Sequence, residues 1–259
     1  MALASGTALL FIALGLIALV AGIGITTVGP GGVFVTAALY GLTDLSSATV
    51  AGTASATFVA TGLVGSGAYL RSGELTSRPA REAAVVLSGA GIVGALVGTR
   101  LNLLAGDELF GYLLSAFLIG TAGLIAYREW SGIEPRGLLD GSVFYRWALL
   151  GGTGGSIGVL GGLLGVGGPV VAVPALVGLG MPMLRALAVA QVQSIFLSLF
   201  AAVGYGAVGA LDPVFALLVG FPQLVGVLLG WRLAHLLPAR QLRIALAGVL
   251  VVVGGMTVL

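Results

Sequence analysis

Apolar runs of membrane length divide the chain. Between charged or glycine- and proline-rich breaks they fall near residues 7–42, 46–70, 82–104, 107–127, 146–180, 183–208, 213–237 and 240–259. A helix needs about 20 apolar residues to cross the hydrocarbon core of a bilayer, and each run is long enough. Two runs are too long for one ordinary crossing, and both are interrupted: the first at Gly29–Gly32, the second around Gly161–Pro169. The most polar stretch, REWSGIEPRGLLDGS from Arg128 to Ser142, reads as a linker. The pattern predicts an all-α integral membrane protein with no soluble domain.

Composition agrees. Hydrophobic residues make up 58% and charged residues 8%, where a soluble domain carries about 25% charge. The chain cannot cover a water-facing surface and belongs in a bilayer. With no cysteine, disulfides, thiolate catalysis and cysteine metal sites are excluded. No Lys or Arg precedes the apolar stretch Ala8–Val28. That stretch is also longer than a signal-peptide core of about 7–15 residues, so it reads as the first membrane element.

Two halves resemble each other: a first repeat over 1–127, a linker over 128–145 and a second repeat over 146–259. Gly29, Gly31 and Gly32 match Gly165, Gly167 and Gly168; Tyr69, Gly73 and Leu75 match Tyr205, Gly209 and Leu211. All six pairs share one offset of 136 positions. Duplication of this kind is a common transporter design.

Irregular backbone is not tolerated against lipid, only where protein buries it or it lines a wet cavity. The two interruptions therefore face inward. Pro169 lacks an N–H and has a fixed φ, which suits the first turn of a new helix. A half-helix is expected over Pro169–Gly180, with Val33–Leu42 its counterpart. Each N-terminus brings unpaired N–H groups and about half a positive charge, an anion site without a charged side chain. The competing reading is close helix packing by glycine, which suits Gly151, Gly155, Gly158 and Gly162.

Polar side chains follow each break. Gln191, Ser194 and Ser198 share a helix face, with Tyr205 further along it; Gln193 points elsewhere. Thr49, Thr53 and Thr57 form a second stripe, with Ser55 off it. Their hydroxyls and amides either donate to an oxyanion or bond back to their own helix and to neighbours. The candidate substrate-binding set is Gly29, Gly31, Gly32, Thr53, Ser55, Gly165, Gly167, Gly168, Gln191 and Ser194.

The basic residues, all arginine, sort the topology. If each interrupted element crosses the membrane, six arginines face one side and five the other. If each enters, breaks and returns, the halves are inverted and Arg100 alone opposes the other ten. The positive-inside rule selects the second arrangement, with both termini outside the cytoplasm. Each repeat is then an interrupted, re-entrant helix plus three transmembrane helices.

The stretch GVLGGLLGVGGPVVAVPALVGLGMP resembles the signature of the sulfite exporter TauE/SafE family, through Gly165, Gly167, Gly168 and Pro174. Gly52, Thr53 and Ser55, read as GTAS, are similar to that family's GTS-like motif. Two positions depart from the pattern: Ala38 stands where the repeat would place proline, and Gln191–Ser194 stands where a Thr-Ser pair is usual. The resemblance implies transport of sulfur-containing anions such as sulfite, sulfonates or thiosulfate across the cytoplasmic membrane, not an enzyme. The expected mechanism is alternating access about an anion held at the paired breaks. A passive anion channel is the alternative; an intramembrane serine hydrolase built on Ser156 and His235 is a lesser one. The partners are a small anion and the lipid bilayer, with no cofactor, metal or nucleic acid; a homo-oligomer stays open. No acidic residue falls mid-span, so the sequence offers no buried proton carrier.

Overall fold

The computed structural model describes residues 2–131 and 138–236. The expected last helix, 240–259, lies outside them, as do Arg136, Arg240 and Arg243. Among the described residues every element is helical: besides two short 3-10 turns, Pro30–Gly32 and Leu138–Asp140, they are α1 (Ala2–Thr27), α2 (Val33–Leu42), α3 (Ser47–Arg71), α4 (Arg78–Ser131), α5 (Val143–Leu164), α6 (Pro169–Gly178), α7 (Met183–Gly206) and α8 (Pro213–Leu236). Among the described residues, six helices are long and apolar enough to cross a membrane; α2 and α6 are short.

The helix boundaries follow local chemistry. Ser46 and Ser142 cap α3 and α5, accepting from the backbone N–H three residues on, Thr49 and Tyr145. The Asp212 carboxylate accepts from Val214 and Phe215 at the start of α8, at 2.8 and 3.0 Å. α4 bends at Gly106, where φ 73 and ψ 164 are not helical, so it supplies the two separate spans expected from sequence. It continues through Ser131, shortening the linker from the N-terminal side, and α5 begins at Val143 rather than 146.

Helix α1 runs parallel to α8, and α5 parallel to the first arm of α4. Gly15 lies against Pro222 and Gly226 against Gly22 and Ile23. In the seam between α4 and α5, Gly154 lies against Leu87, Gly94 against Gly155 and Gly162 against Ala95. Except at Gly15, which meets a side chain at 3.7 Å, and at Gly155, whose Cβ position is open to 4.0 Å, these backbones meet with no room for a Cβ, so Gly158 and Gly162 serve the packing expected of them. Gly151 does not: nothing lies within 4 Å of its Cβ position, and Gly154 takes that place in the seam.

Helices α3 and α7 cross at the centre. Their mid-points carry Phe58 and Ser194, and both short helices begin against them. The chain doubles back after α1. Gly31 rests on Ala21, Gly24 and Ile25. Thr26 lies by Tyr69 near the end of α3, whereas Tyr40 on α2 and Ser47 at the start of α3 share Asp107.

Candidate functional site

A helix whose end is buried in protein leaves carbonyls with no water to accept from, and an unpaired buried group costs about 1–3 kcal/mol. Side chains from other helices meet that need here. At the end of α1, Gln191 Nε2 donates to Ile25 O at 3.4 Å and Tyr69 Oη donates to Thr26 O at 2.5 Å. At the end of α5, Tyr205 Oη donates to Gly162 O at 2.7 Å and Asn102 Nδ2 to Leu163 O at 2.7 Å. Thr36 on α2 donates to Gly165 O, tying one break to the other. The two tyrosine bonds are related by the offset of 136 at both donor and acceptor.

The breaks themselves touch. A Cβ on Gly29 would meet Pro169 O at 2.8 Å, and one on Gly32 would meet Val166 O and the Phe58 ring at 3.0 Å. A Cβ on Gly167 would also meet that ring, at 3.2 Å, and Gly168 lies against Ser194. Gly32 on Phe58 and Gly168 on Ser194 again differ by 136 in both partners. Gly29 has φ 105 and Gly165 φ 61, values that side chains resist. A Cβ on Gly165 would also meet the Ala51 backbone, 2.5 Å from its Cα. All six break glycines are buried.

Ser194 Oγ accepts from Gly168 N at 3.4 Å, one of the orphan donors ahead of α6. Gln191 is fully buried with its Oε1 unpartnered. Thr53 and Ser55 are buried on α3, and Thr53 Oγ1 accepts from Asp212 N at 2.9 Å, so this hydroxyl holds the start of α8. Thr57 donates back to Ala54 O at 2.8 Å, and Gln193 turns away to Gly91. Two grooves border the outer side of α6. One, of about 450 Å³, is lined by α5 and Val171; the other, of about 300 Å³, by Phe117, Thr121, Leu160, Val170, Val171 and Pro174. Both reach the first turn of α6, and neither is lined by a break glycine.

Ser156 and His235, considered above as nucleophile and base, do not bond each other. Ser156 Oγ donates to Gly152 O on its own helix, and His235 lies by Glu74 and Trp231.

The family model for sulfite exporter TauE/SafE matches residues 14–257, nearly the whole chain. This chain belongs to the TauE/SafE family. No curated protein and no solved structure matches it. As a TauE/SafE protein it is a multi-pass membrane protein of a transporter family, in keeping with its six long apolar helices. The matched span includes both breaks and every side chain bonded to them. Sequence reasoning named Gln191, Ser194 and the six glycines but missed Thr36 and Asn102, which carry no pattern of their own. It noticed Tyr69 only as a repeat marker, and Tyr205 as a repeat marker that also extends the face of Gln191, Ser194 and Ser198. Adding 136 to Thr26 gives Gly162, the signal that would have marked them as partners of the breaks.

Proposed function

We propose that this TauE/SafE protein is a secondary transporter that moves sulfur-containing oxyanions, of the sulfite, sulfonate or thiosulfate class, across the cell membrane. The anion is held where the two breaks converge and is released to alternate sides as two inverted repeats rock about that point. The supporting observation is the meeting of Gly29–Gly32 with Gly165–Gly168 beside Phe58 and Ser194, at the mid-points of α3 and α7. Both α2 and α6 begin there, so two helix N-termini supply donors and partial positive charge at mid-depth. Thr53, Ser55, Gln191 and Ser194 stand on the two helices that flank the point.

Re-entry of α1–α2 and α5–α6 is supported by the reversal at Gly31 and by the matching contacts at offset 136. On this topology Arg71, Arg78, Arg81, Arg146, Arg185 and Arg232 share one face with the ion pairs Glu74–His235 and Glu82–Arg146, and Arg100 lies at the other. The glycines are closed on one another in this conformation, which favours a gated mechanism over a standing pore. Entry of an anion requires α2 and α6 to part. Reconstituted protein should accumulate labelled sulfite in liposomes with saturable, counter-transportable kinetics. Absence of flux with every sulfur oxyanion removes the proposal; non-saturable flux favours the channel.

A further inference from the structure

The chain's one histidine is placed among acceptors. His235, at the end of α8, has Nδ1 2.8 Å from Trp231 O and Nε2 3.0 Å from Glu74 Oε1. A carbonyl oxygen only accepts, so Nδ1 carries a hydrogen. An ionised carboxylate also only accepts, so Nε2 must carry one too, or the carboxyl must donate to it. Glu74 Oε2 is taken by the Ser72 hydroxyl, whose oxygen accepts from Trp231 Nε1 at 3.2 Å. For both contacts to be hydrogen bonds, the network must hold one proton more than a neutral imidazole beside a carboxylate. The side chain of His235 is 30% exposed and that of Glu74 14%, so the contact is partly screened from water.

The same cluster is wired to the first break. Tyr69 packs against the imidazole, ring centroids 6.1 Å apart, and its hydroxyl holds Thr26 O at the end of α1. Thr26 Oγ1 donates to Val227 O at 2.9 Å, one turn before Trp231 on α8. The second break has no such pair: the positions offset by 136 from Glu74 and His235 are Ala210 and Thr99, neither of which titrates near neutrality. Other charged or titratable groups on the surrounding elements are Tyr69 and Arg71 on α3, Arg78, Arg81 and Glu82 at the start of α4, and Arg232 on α8. Arg81 Nε is turned onto Leu75 O and Glu82 is paired with Arg146.

We propose that Glu74 and His235 form a proton-binding site that ties α8 to the α3–α4 connection and so clamps the first break, and only that break, in its closed form. Binding adds the proton shared between Nε2 and Oε1; its loss leaves a lone pair facing a carboxylate, and the tie opens. The site stands on the geometry of the cluster, while its role in opening the transporter rests on the function proposed above.

The test uses the full chain in detergent, purified with a histidine-free tag. Its melting temperature and its single imidazole NMR signal are followed from about pH 5 to 8, the range over which imidazoles titrate. The expected result is one step in melting temperature, lower at higher pH, that coincides with the imidazole transition. That step should vanish in Glu74→Gln and in His235→Gln. A melting step unconnected with the imidazole signal, or one that persists in a folded variant, overturns the proposal; if neither variant folds, the wild-type comparison decides. Liposome flux over the same range then separates the two ideas. A proton site without any sulfite flux leaves the site standing and removes the transport reading, whereas flux with no dependence on Glu74 at any pH removes the clamp.

Discussion

Gly29→Ala tests whether the apposition of the two breaks matters. Gly29 has φ 105 and ψ −57, a region that an L-residue enters at about 1–3 kcal/mol. The added Cβ would also lie 2.8 Å from Pro169 O and from Val173 Cβ. One obstacle is backbone and the other a branched carbon close to it, so neither swings aside, and overpacking adds about 1–3 kcal/mol. The total is about 2–6 kcal/mol. Gly209→Ala is the control: φ is 74, yet nothing lies within 4 Å of its Cβ position, so it carries the conformational term alone, about 1–2 kcal/mol. Each kcal/mol corresponds to about 2–4 °C in melting temperature for a domain of this size. The assay pairs thermal unfolding in detergent with sulfite flux per folded molecule in liposomes. Gly209→Ala should lose a few degrees and keep its flux. Gly29→Ala should lose more and fall at least about tenfold in flux, the consequence of some 1.4 kcal/mol at the site. If Gly29→Ala matches Gly209→Ala in melting temperature and wild type in flux, the close contact of the breaks has no role and the reasoning fails.

Tyr69→Phe and Tyr205→Phe each leave a buried carbonyl, Thr26 O or Gly162 O, without its donor, and each should lower stability by about 1–3 kcal/mol in chemical or thermal unfolding. Ser194→Ala removes the acceptor for Gly168 N; sulfite should then stabilise the protein about fivefold more weakly in apparent affinity, read from thermal shifts across a concentration series, as loss of about 1 kcal/mol requires. Glu74 also governs acid stability. Partial burial raises its pKa, but hydrogen bonds from Ser72 and His235 outweigh that and hold the carboxyl below its ordinary range. A depressed folded value means the contribution is complete above about pH 4.3, the ordinary glutamate value, and is lost as pH falls through the folded one. Acid titration of the melting temperature should show that loss in wild type and a smaller one in Glu74→Gln.

Much of this molecule was legible as a string. The breaks at Gly29–Gly32 and Gly165–Gly168 and the helix limits at 47–71, 183–206 and 213–236 follow from hydropathy, Gly and Pro. The reason is that the bilayer fixes helix length and forbids open backbone, so one-dimensional composition already encodes a boundary condition. The offset of 136 was readable too, and it recurs in the bonds of Tyr69 to Thr26 O and Tyr205 to Gly162 O.

What remained hidden is which side chain answers which exposed backbone group. Asn102 reaching Leu163 O, Thr36 reaching Gly165 O, Thr53 holding the start of α8 instead of standing free, and His235 meeting Glu74 across 161 positions depend on how parallel helices slide into register. That register is set by glycine seams such as Gly22 with Gly226 and Gly94 with Gly155, where backbones meet directly. A glycine contributes the same letter whether it packs, turns or lies open, as Gly151 does. Contact between surfaces, which no local pattern records, assigned each its part.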